Sequence, residues 1–449
     1  MPNANVSDGY AWDFTFEKVL IESDRMNKSV DVARATTDLD IYEHLDKPYL
    51  TAVLTFVDSK SIYNSMDILG AEKVSIEILS TRKDAVPIKK TFIVSKVISQ
   101  QKGQENSDTI MLHLIEDIGY YSNLQNVNKS YRGNGLTINK KIAYNFLDKY
   151  LVEGNRSPKQ NMKLIVPNLS PLEAMIWIKN QCKTSEGLPF YLFTSLTSDN
   201  MFMVDLGSMI EEGVINPKYP YKMGAMVAKS NDPNVKRRII YDYEQKDIDD
   251  LYSMIAKGLI GSKYEYIDVL TNRKRSFHFD INKDLLEPLL GKGIAQANQP
   301  NFLYTSDYKY KEKPFNVYNS RTISRIGGID AYRDKEEQPY PLAFGEGRTT
   351  ADYKLNVIAE SMDQLMKKSP LKLDIPGADF IDGDKHSTVG CQIRVEFPIS
   401  LPAGAVDQPK IDTKKSGDYL IFAARHKFKL EKYDLSLSCL KLANYRAQS

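Results

Sequence analysis

Val389-Gly390-Cys391-Gln392-Ile393-Arg394-Val395-Glu396-Phe397 places an apolar residue at every odd position and Gly, Gln, Arg or Glu at every even one. Side chains alternate across a strand, so this stretch predicts a half-buried β-strand with one dry and one wet face. Upstream, Leu371, Leu373 and Ile375 repeat the alternation and run into Pro376-Gly377; Asp382-Gly383 supplies a second turn. Downstream come Tyr419 to Phe428, then Leu435, Leu437 and Cys439 alternating with Asp434, Ser436 and Ser438. The expectation is an antiparallel sheet of four strands with one buried and one polar face.

These segments follow one another in a specific order. An apolar strand enters Ile375-Pro376-Gly377, a loop holds Asp382-Gly383-Asp384, and a strand ends in Phe397-Pro398. Ser416-Gly417-Asp418-Tyr419-Leu420-Ile421, Arg425-His426-Lys427-Phe428 and Tyr433-Asp434-Leu435-Ser436-Leu437 then complete the series. The order resembles the C-terminal part of baseplate hub proteins from contractile-tailed bacteriophages, with similar modules in type VI secretion spikes. An arbitrary antiparallel β domain is the alternative reading of the same residues.

Bulk properties agree with a folded chain of several domains. The 449 residues suggest about three domains, and 42% hydrophobic with 26% charged residues is ordinary globular composition. The 27 Tyr lean toward β structure and interfaces, and a net charge of +2 gives the whole chain no strong pull on nucleic acid or anionic lipid. No apolar run reaches the ~20 residues of a membrane span. Met1-Pro-Asn-Ala-Asn-Val-Ser-Asp lacks the basic start and apolar core of a signal peptide. Cys182, Cys391 and Cys439 fit no disulfide framework or metal spacing, so synthesis in a reducing cytosol is expected.

From Trp12 to about Asp117 the chain reads as strands, with Leu50, Ala52, Leu54 and Phe56 in one alternating set and Val74, Ile76 and Ile78 in another. Phe92 to Ile98 and Ile110, Leu112 and Leu114 supply two more, a spacing that predicts a sandwich or barrel. Ile138, Ile142, Phe146, Leu147 and Leu151 share a helical face. Ser170-Pro171-Leu172-Glu173 is a helix start, with Ser170 as N-cap and Glu173 completing a capping box. Phe190–Leu196 and Met201–Leu206 read as a hairpin, closed off by the linker Asn216-Pro-Lys-Tyr-Pro-Tyr. Ile239 to Tyr243 is a strand, and Asp247 caps a helix carrying Leu251, Tyr252, Ile255 and Leu259. A hairpin follows over Tyr264–Leu270 and Ser276–Ile281. Residues 291–349 read as long loops, before a last helix through Leu355, Ile358, Met362 and Leu365 that stops at Ser369-Pro370.

The fold class expected is α+β, mainly antiparallel β, with two tail-tube-like β-barrel or sandwich domains plus α+β accessory domains. The expected divisions are 1–125 (first tube-like domain), 126–216 (α+β), 217–250 with 365–449 (second, discontinuous tube-like domain) and 251–364 (accessory insertion).

Enzyme signatures are sparse: there is no G-x-S-x-G elbow, H-E-x-x-H or Walker A loop. Gly345-Glu-Gly347 lacks a third glycine and a following helix. Asp379, Asp382 and Asp384 lack EF-hand spacing and read as an Asp-rich turn. His386 with Cys391, or His426 with Cys439, would make a nucleophile pair, but both cysteines fall on apolar strand faces. No catalytic, cofactor or metal site is therefore expected. A polysaccharide-acting enzyme using Asp247 with Asp249 is the rival, and a helix N-terminus favours acids there without catalysis. The basic clusters Lys236-Arg237-Arg238, Asn272-Arg273-Lys274-Arg275 and Arg425-His426-Lys427 are candidates for lining a DNA channel.

The resemblance implies a structural hub: a homotrimer whose six tube-like domains form a pseudo-sixfold ring. Such a ring adapts a sixfold tail tube, or tube-initiator ring, above to a threefold central spike below. It sits among baseplate proteins in the virion and passes DNA through its lumen, and a phage-like injection system is an open variant. Gln392, Arg394, Glu396, Asp434, Ser436 and Ser438 are the expected lumen-facing residues. Because Ser449 follows soon after the last expected strand, no fused lysozyme or needle is expected.

Overall fold

The computed structural model describes residues 14–81, 85–103, 107–159, 161–227, 231–245, 251–268, 273–286, 308–326, 350–367, 370–381, 387–399, 411–413, 415–429 and 432–444. Its first part contains β1 (Phe14–Ser23), β2 (Lys28–Asp31), β3 (Thr36–His44), β4 (Thr51–Asp58), β5 (Lys73–Ser80), β6 (Ile88–Lys102) and β7 (Asp108–Glu116). Alternation sets their faces: Ala52, Leu54 and Phe56 of β4, Val74, Ile76 and Ile78 of β5, and Ile110, Leu112 and Leu114 of β7 are all buried. The strands pair antiparallel in the order β3-β4-β7-β6-β5-β1-β2.

The next segment builds an α+β layer on a core of its own. In it β8 (Ser130–Asn134) later pairs with β10 (Asn161–Ile165), and β9 (Leu151–Glu153) lies beside the strand that closes the layer. The helix Gly135–Leu147 starts at Asn134, whose side chain accepts from the Thr137 N–H. It stops at Asp148, which takes φ +50°, so Leu151 lies in β9 and not on the expected helical face. The helix Pro171–Gln181 carries the expected capping box between Ser170 and Glu173. The antiparallel hairpin of β11 (Phe190–Ser195) and β12 (Ser198–Asp205) ties this layer to the first sheet. The Thr194 hydroxyl donates to buried Glu116 at 3.1 Å, and the Ser195 hydroxyl donates to buried Glu43 at 3.3 Å. Both carboxylates thereby recover partners that burial takes away.

A second β part begins with β13 (Tyr221–Met223), β14 (Ile239–Ile240) and β15 (Asp242–Gln245). An excursion follows, containing the helix Leu251–Lys257, which ends at Gly258 with φ +77°, and β16 (Gly261–Asp268) paired with β17 (Arg273–Asp280). The stretch 308–326, expected as aperiodic loop, contains a small hairpin of β18 (Lys309–Tyr310) and β19 (Lys313–Pro314). It then adds β20 (Thr322–Ile326) parallel to β16. Thr322-Ile-Ser-Arg-Ile does alternate, but five residues among Gly, Pro and charges are too few to read as a strand without β16 beside them. The remainder of 291–349, Asp247, Asp249, Asp382, Asp384 and His386 lie outside the described residues. The helix Thr350–Met366 returns the chain to β21 (Leu371–Pro376), β22 (Gln392–Glu396), β23 (Gly417–Lys429) and β24 (Lys432–Asn444).

These strands close on themselves. They run β13-β22-β23-β24-β21-β15, and β14, which leads into β15 through Tyr241, pairs back onto β13. The Tyr241 N–H donates to the Asp374 carbonyl at 2.9 Å, so the wall stays continuous there. Closure through β14 covers most of the edge that an open sheet would expose, while β15 keeps one edge on which no described strand lies.

The same strand order occurs twice in the chain. Counting β14 with β15 as one bent strand, the barrel runs first-fourth-fifth-sixth-third-second. In the first part, with β2 set aside as an extra edge, β1-β5-β6-β7-β4-β3 is the same order. The modules differ at the first-to-fourth pair, which is antiparallel for β1 and β5 but parallel for β13 and β22. They differ also between second and first strands: β14 and β13 pair, whereas the first module is tied there by the Val32 N–H donating to the Val19 carbonyl.

One strand fuses the modules. Along a single edge, Gly417–Leu420 of β23 pairs with β22 and Ala423–Lys429 pairs with β3, while the other edge carries β24. Fourteen described strands thus share one sheet, and one apolar core runs under both modules. Phe428 bridges it, edge-on to Phe14 at 5.0 Å and stacked on Tyr433 at 4.4 Å.

Candidate functional site: a polar face across the joint

Residues directly opposite on neighbouring strands share a face, so the registers trace polar rows across the seam between modules. One row runs Asp242, Asp374, Ser436, Arg425, Tyr42, Thr51. Another runs Asp434, Lys427, Asp40, Val53, His113, Lys96. The rows pass from barrel to first module without a break.

Ion pairs stitch the face laterally. Arg425 donates to Asp40 at 2.7 Å and its guanidinium lies 5.7 Å from the centre of the Tyr42 ring; Lys429 meets Asp38 at 3.0 Å. Both of these ion pairs cross the joint. Within the barrel, Lys372 meets Glu244 at 2.9 Å, Lys427 meets Asp374 at 3.4 Å, and the Ser436 hydroxyl donates to Asp374. Half-burial holds the Asp434 carboxyl above its ordinary range, against the pull of Lys427 and Lys432. A groove of about 480 Å³ opens on this face, lined by Tyr42, His44, Lys372, Asp374, Arg425 and Ser438 among others. Acids and bases alternate closely, which gives a wet surface of mixed sign with no single strong field.

The six expected lumen residues separate into two groups. Asp434, Ser436 and Ser438 on β24 lie half-exposed on this face. Gln392 and Glu396 do not, because both faces of β22 are covered by the chain itself. Gln392 is 1% exposed, and its amide donates to the carbonyls of Met209 at 2.6 Å and Ile210 at 2.9 Å. Glu396 is buried and pairs with Lys222 at 2.8 Å. Arg394, between them, forks onto Asp418 at 2.7 and 3.0 Å. The even positions of this strand are polar because they hold other parts of the chain.

Further candidates also turn inward. Arg238, from the first basic cluster, is 7% exposed and forks onto Asp379 at 2.8 and 2.9 Å, while the Tyr221 hydroxyl donates to the same carboxylate at 2.8 Å. Asp379 is thereby occupied as a structural acceptor, and the linker before Tyr221 leads directly into a barrel strand. His426 and Cys439 are both fully buried; the imidazole Nδ1 lies 2.6 Å from the Tyr433 hydroxyl, and Cys439 stands opposite Ile421. Cys391 is buried with its thiol donating to the Ser387 carbonyl at 2.7 Å. Among the described residues, no three His, Cys, Asp or Glu side chains gather as a metal site would require.

Asp38, Asp40, Tyr42, Asp374 and Lys429 belong to the face but were not singled out from sequence. A signal existed: Asp38-x-Asp40 on one strand and Arg425-x-Lys427-x-Lys429 on another are opposite charges at period two. Their pairing across nearly 400 residues is what the sequence does not declare.

No protein-family model matches this chain, and no curated protein matches its sequence. Solved structures do. The 43 kDa tail protein of prophage MuSo2 from Shewanella oneidensis aligns over 95% of this chain and 98% of its own, with TM-score 0.50 and 10% identity. A tail protein from Neisseria meningitidis MC58 aligns over 96% and 97%, with TM-score 0.49 and 11% identity. A type VI secretion component from E. coli, described as similar to the T4 tail proteins gp27 and gp5, aligns over 96% and 78%, with TM-score 0.42 and 8% identity. The fold of this chain, α+β with mainly antiparallel sheets, is that of the Shewanella tail protein along nearly the whole length of both.

Proposed function

We propose that this protein is a structural subunit of a tail baseplate, in which three copies set six like β modules around a central bore. The observation that carries the reading is the repeated strand order within one chain, with its two copies joined side by side through β23 and β3. Two like modules per chain turn a threefold assembly into a near-sixfold one. That is the geometry needed between a threefold spike and a sixfold tube, and closed symmetry of this kind also uses up strand edges. The polar rows through Asp434, Ser436 and Ser438 line the bore, where mixed charge lets a polyanion such as DNA pass without lasting attachment. The chain carries load and matches symmetry, and does no covalent chemistry.

Light scattering on the purified chain tests this directly. The expected mass is that of three chains. A mass of one or two chains, unchanged on concentration, overturns the ring.

A further inference from the structure

The two modules match strand for strand and also hydrogen bond for hydrogen bond at one point. In the barrel, the Ile421 N–H donates to the Cys391 carbonyl and the Gly390 N–H donates to the Ile421 carbonyl, both at 2.9 Å. In the first module, the Val94 N–H donates to the Glu72 carbonyl and the Ala71 N–H donates to the Val94 carbonyl, both at 2.8 Å. Gly390 and Ala71 share a left-handed backbone, φ +84° and +71°. Immediately after each clasp one residue, Phe422 or Ser95, is skipped in the pairing to the sixth strand. Ile421 of β23 and Val94 of β6 are therefore counterparts.

Beyond that point the modules part. In β23, the edge past the clasp is occupied by β3. In β6, the edge past Val94 continues to Lys102, yet β5 pairs only with Ile88–Ile93 and no other described strand takes that side. Ile98 on this stretch is 43% exposed, and Lys96, Gln100, Gln101 and Lys102 are exposed with it. A strand edge left open after its own partner ends is a template for a further strand.

The matching registers identify what that strand is. From Val94 they lead through Leu114 and Ala52 to Ile41 on β3. From Ile421 they lead through Cys439 and Leu371 to Gln245 on β15. Asp242-Tyr243-Glu244-Gln245 is thus the counterpart of Asp38-Leu39-Asp40-Ile41, with acids in the same two places. The acids of β3 face Arg425, Lys427 and Lys429 across the internal joint, and the β6 edge likewise carries Lys96 and Lys102.

We propose that β6, from Ile98 to Lys102, pairs antiparallel with β15 of a second copy of this chain, reproducing between molecules the β23–β3 seam found within one. This rests on the ring reading and specifies its seam. Each chain then offers one basic edge and one acidic strand at opposite ends, a head-to-tail contact that closes into a ring when the rotation allows.

The test uses cysteines, because directly opposed residues of antiparallel strands lie within disulfide reach. A second skip at Ile98 leaves either Gln100 or Gln101 opposite Glu244. The full-length double variants Gln100→Cys/Glu244→Cys and Gln101→Cys/Glu244→Cys are oxidised and run without reductant. Expected is a ladder of covalent dimer and trimer from one of the two, absent from each single variant; the native cysteines, all buried, stay silent. If neither pair links while the unmodified chain weighs three copies, the seam is overturned and the ring stands. If neither links and the mass is that of one chain, both fall. Circular dichroism on each variant confirms that these exposed substitutions leave the fold intact.

Discussion

His426 of β23 and Glu43 of β3 face each other inside the protein, Nε2 and Oε1 3.3 Å apart, with neither side chain exposed. The contact lies where the barrel, the first module and the α+β layer meet. Glu43 also accepts from the backbone N–H of Leu196 and of Val389 and from the Ser195 hydroxyl, so one carboxylate fastens barrel, first module and α+β layer together. A buried carboxyl group is tolerable only with that many partners, and removing it strands them all.

Glu43→Ala is accordingly expected to cost about 3–5 kcal/mol, because it strands several buried donors at roughly 1–3 kcal/mol each. Chemical denaturation followed by tryptophan fluorescence checks it. A loss below about 1 kcal/mol would mean the junction relaxes around the gap.

Gly377→Ala is expected to destabilise through overpacking. An added Cβ would stand 2.1 Å from the Tyr433 ring, and Tyr433 is fully buried between His426 and Phe428. The cost expected is about 1–3 kcal/mol, read as a lower thermal midpoint.

The lateral ion pairs on the polar face are expected to contribute little. Lys429 and Asp38 are both substantially exposed, so a double-mutant cycle on this pair is expected to give a coupling under about 1 kcal/mol that shrinks further with added salt. Their positions matter for the surface they present more than for stability.

Asp434 gives a pH dependence of definite sign. Its carboxyl titrates higher folded than unfolded, so its contribution is most favourable in acid and is lost as pH rises through the folded value. Asp434→Asn should therefore gain stability relative to the parent at pH 7 and lose that gain by about pH 3, below the ordinary carboxylate range. Thermal midpoints at the two pH values decide it.

Burial pushes the Cys391 thiol up to about 12 and raises Cys439 also. At pH 8 a thiol near 12 is about a thousandfold poorer in thiolate than a free one. Neither cysteine is expected to alkylate with iodoacetamide in the native protein, and both should react once it is denatured. Mass spectrometry of the peptides reads this out, and fast native labelling of Cys391 would contradict its placement.

Much of the scaffold was legible in the chain. Alternation at Ala52, Leu54 and Phe56, and at Val74, Ile76 and Ile78, corresponds to buried faces of β4 and β5. The capping box at Ser170 and Glu173 opens its helix. These are local signals, because period and cap depend only on neighbours a few residues away. Leu151 fell outside its helix because Asp148 turns left-handed first, a choice the apolar spacing does not record.

What the sequence by itself determined was which side of each strand is apolar and where the helices start. What covers the other side was decided only by the tertiary structure. Gln392 and Glu396 read as a wet face and are buried, since carbonyls some 180 residues upstream and Lys222 lie against them. Asp434, Ser436 and Ser438 carry the same alternation and remain half-exposed. A polar side chain is equally consistent with water or with a buried partner. The choice is made by which distant segment packs there, and the chain's local pattern holds no information on that.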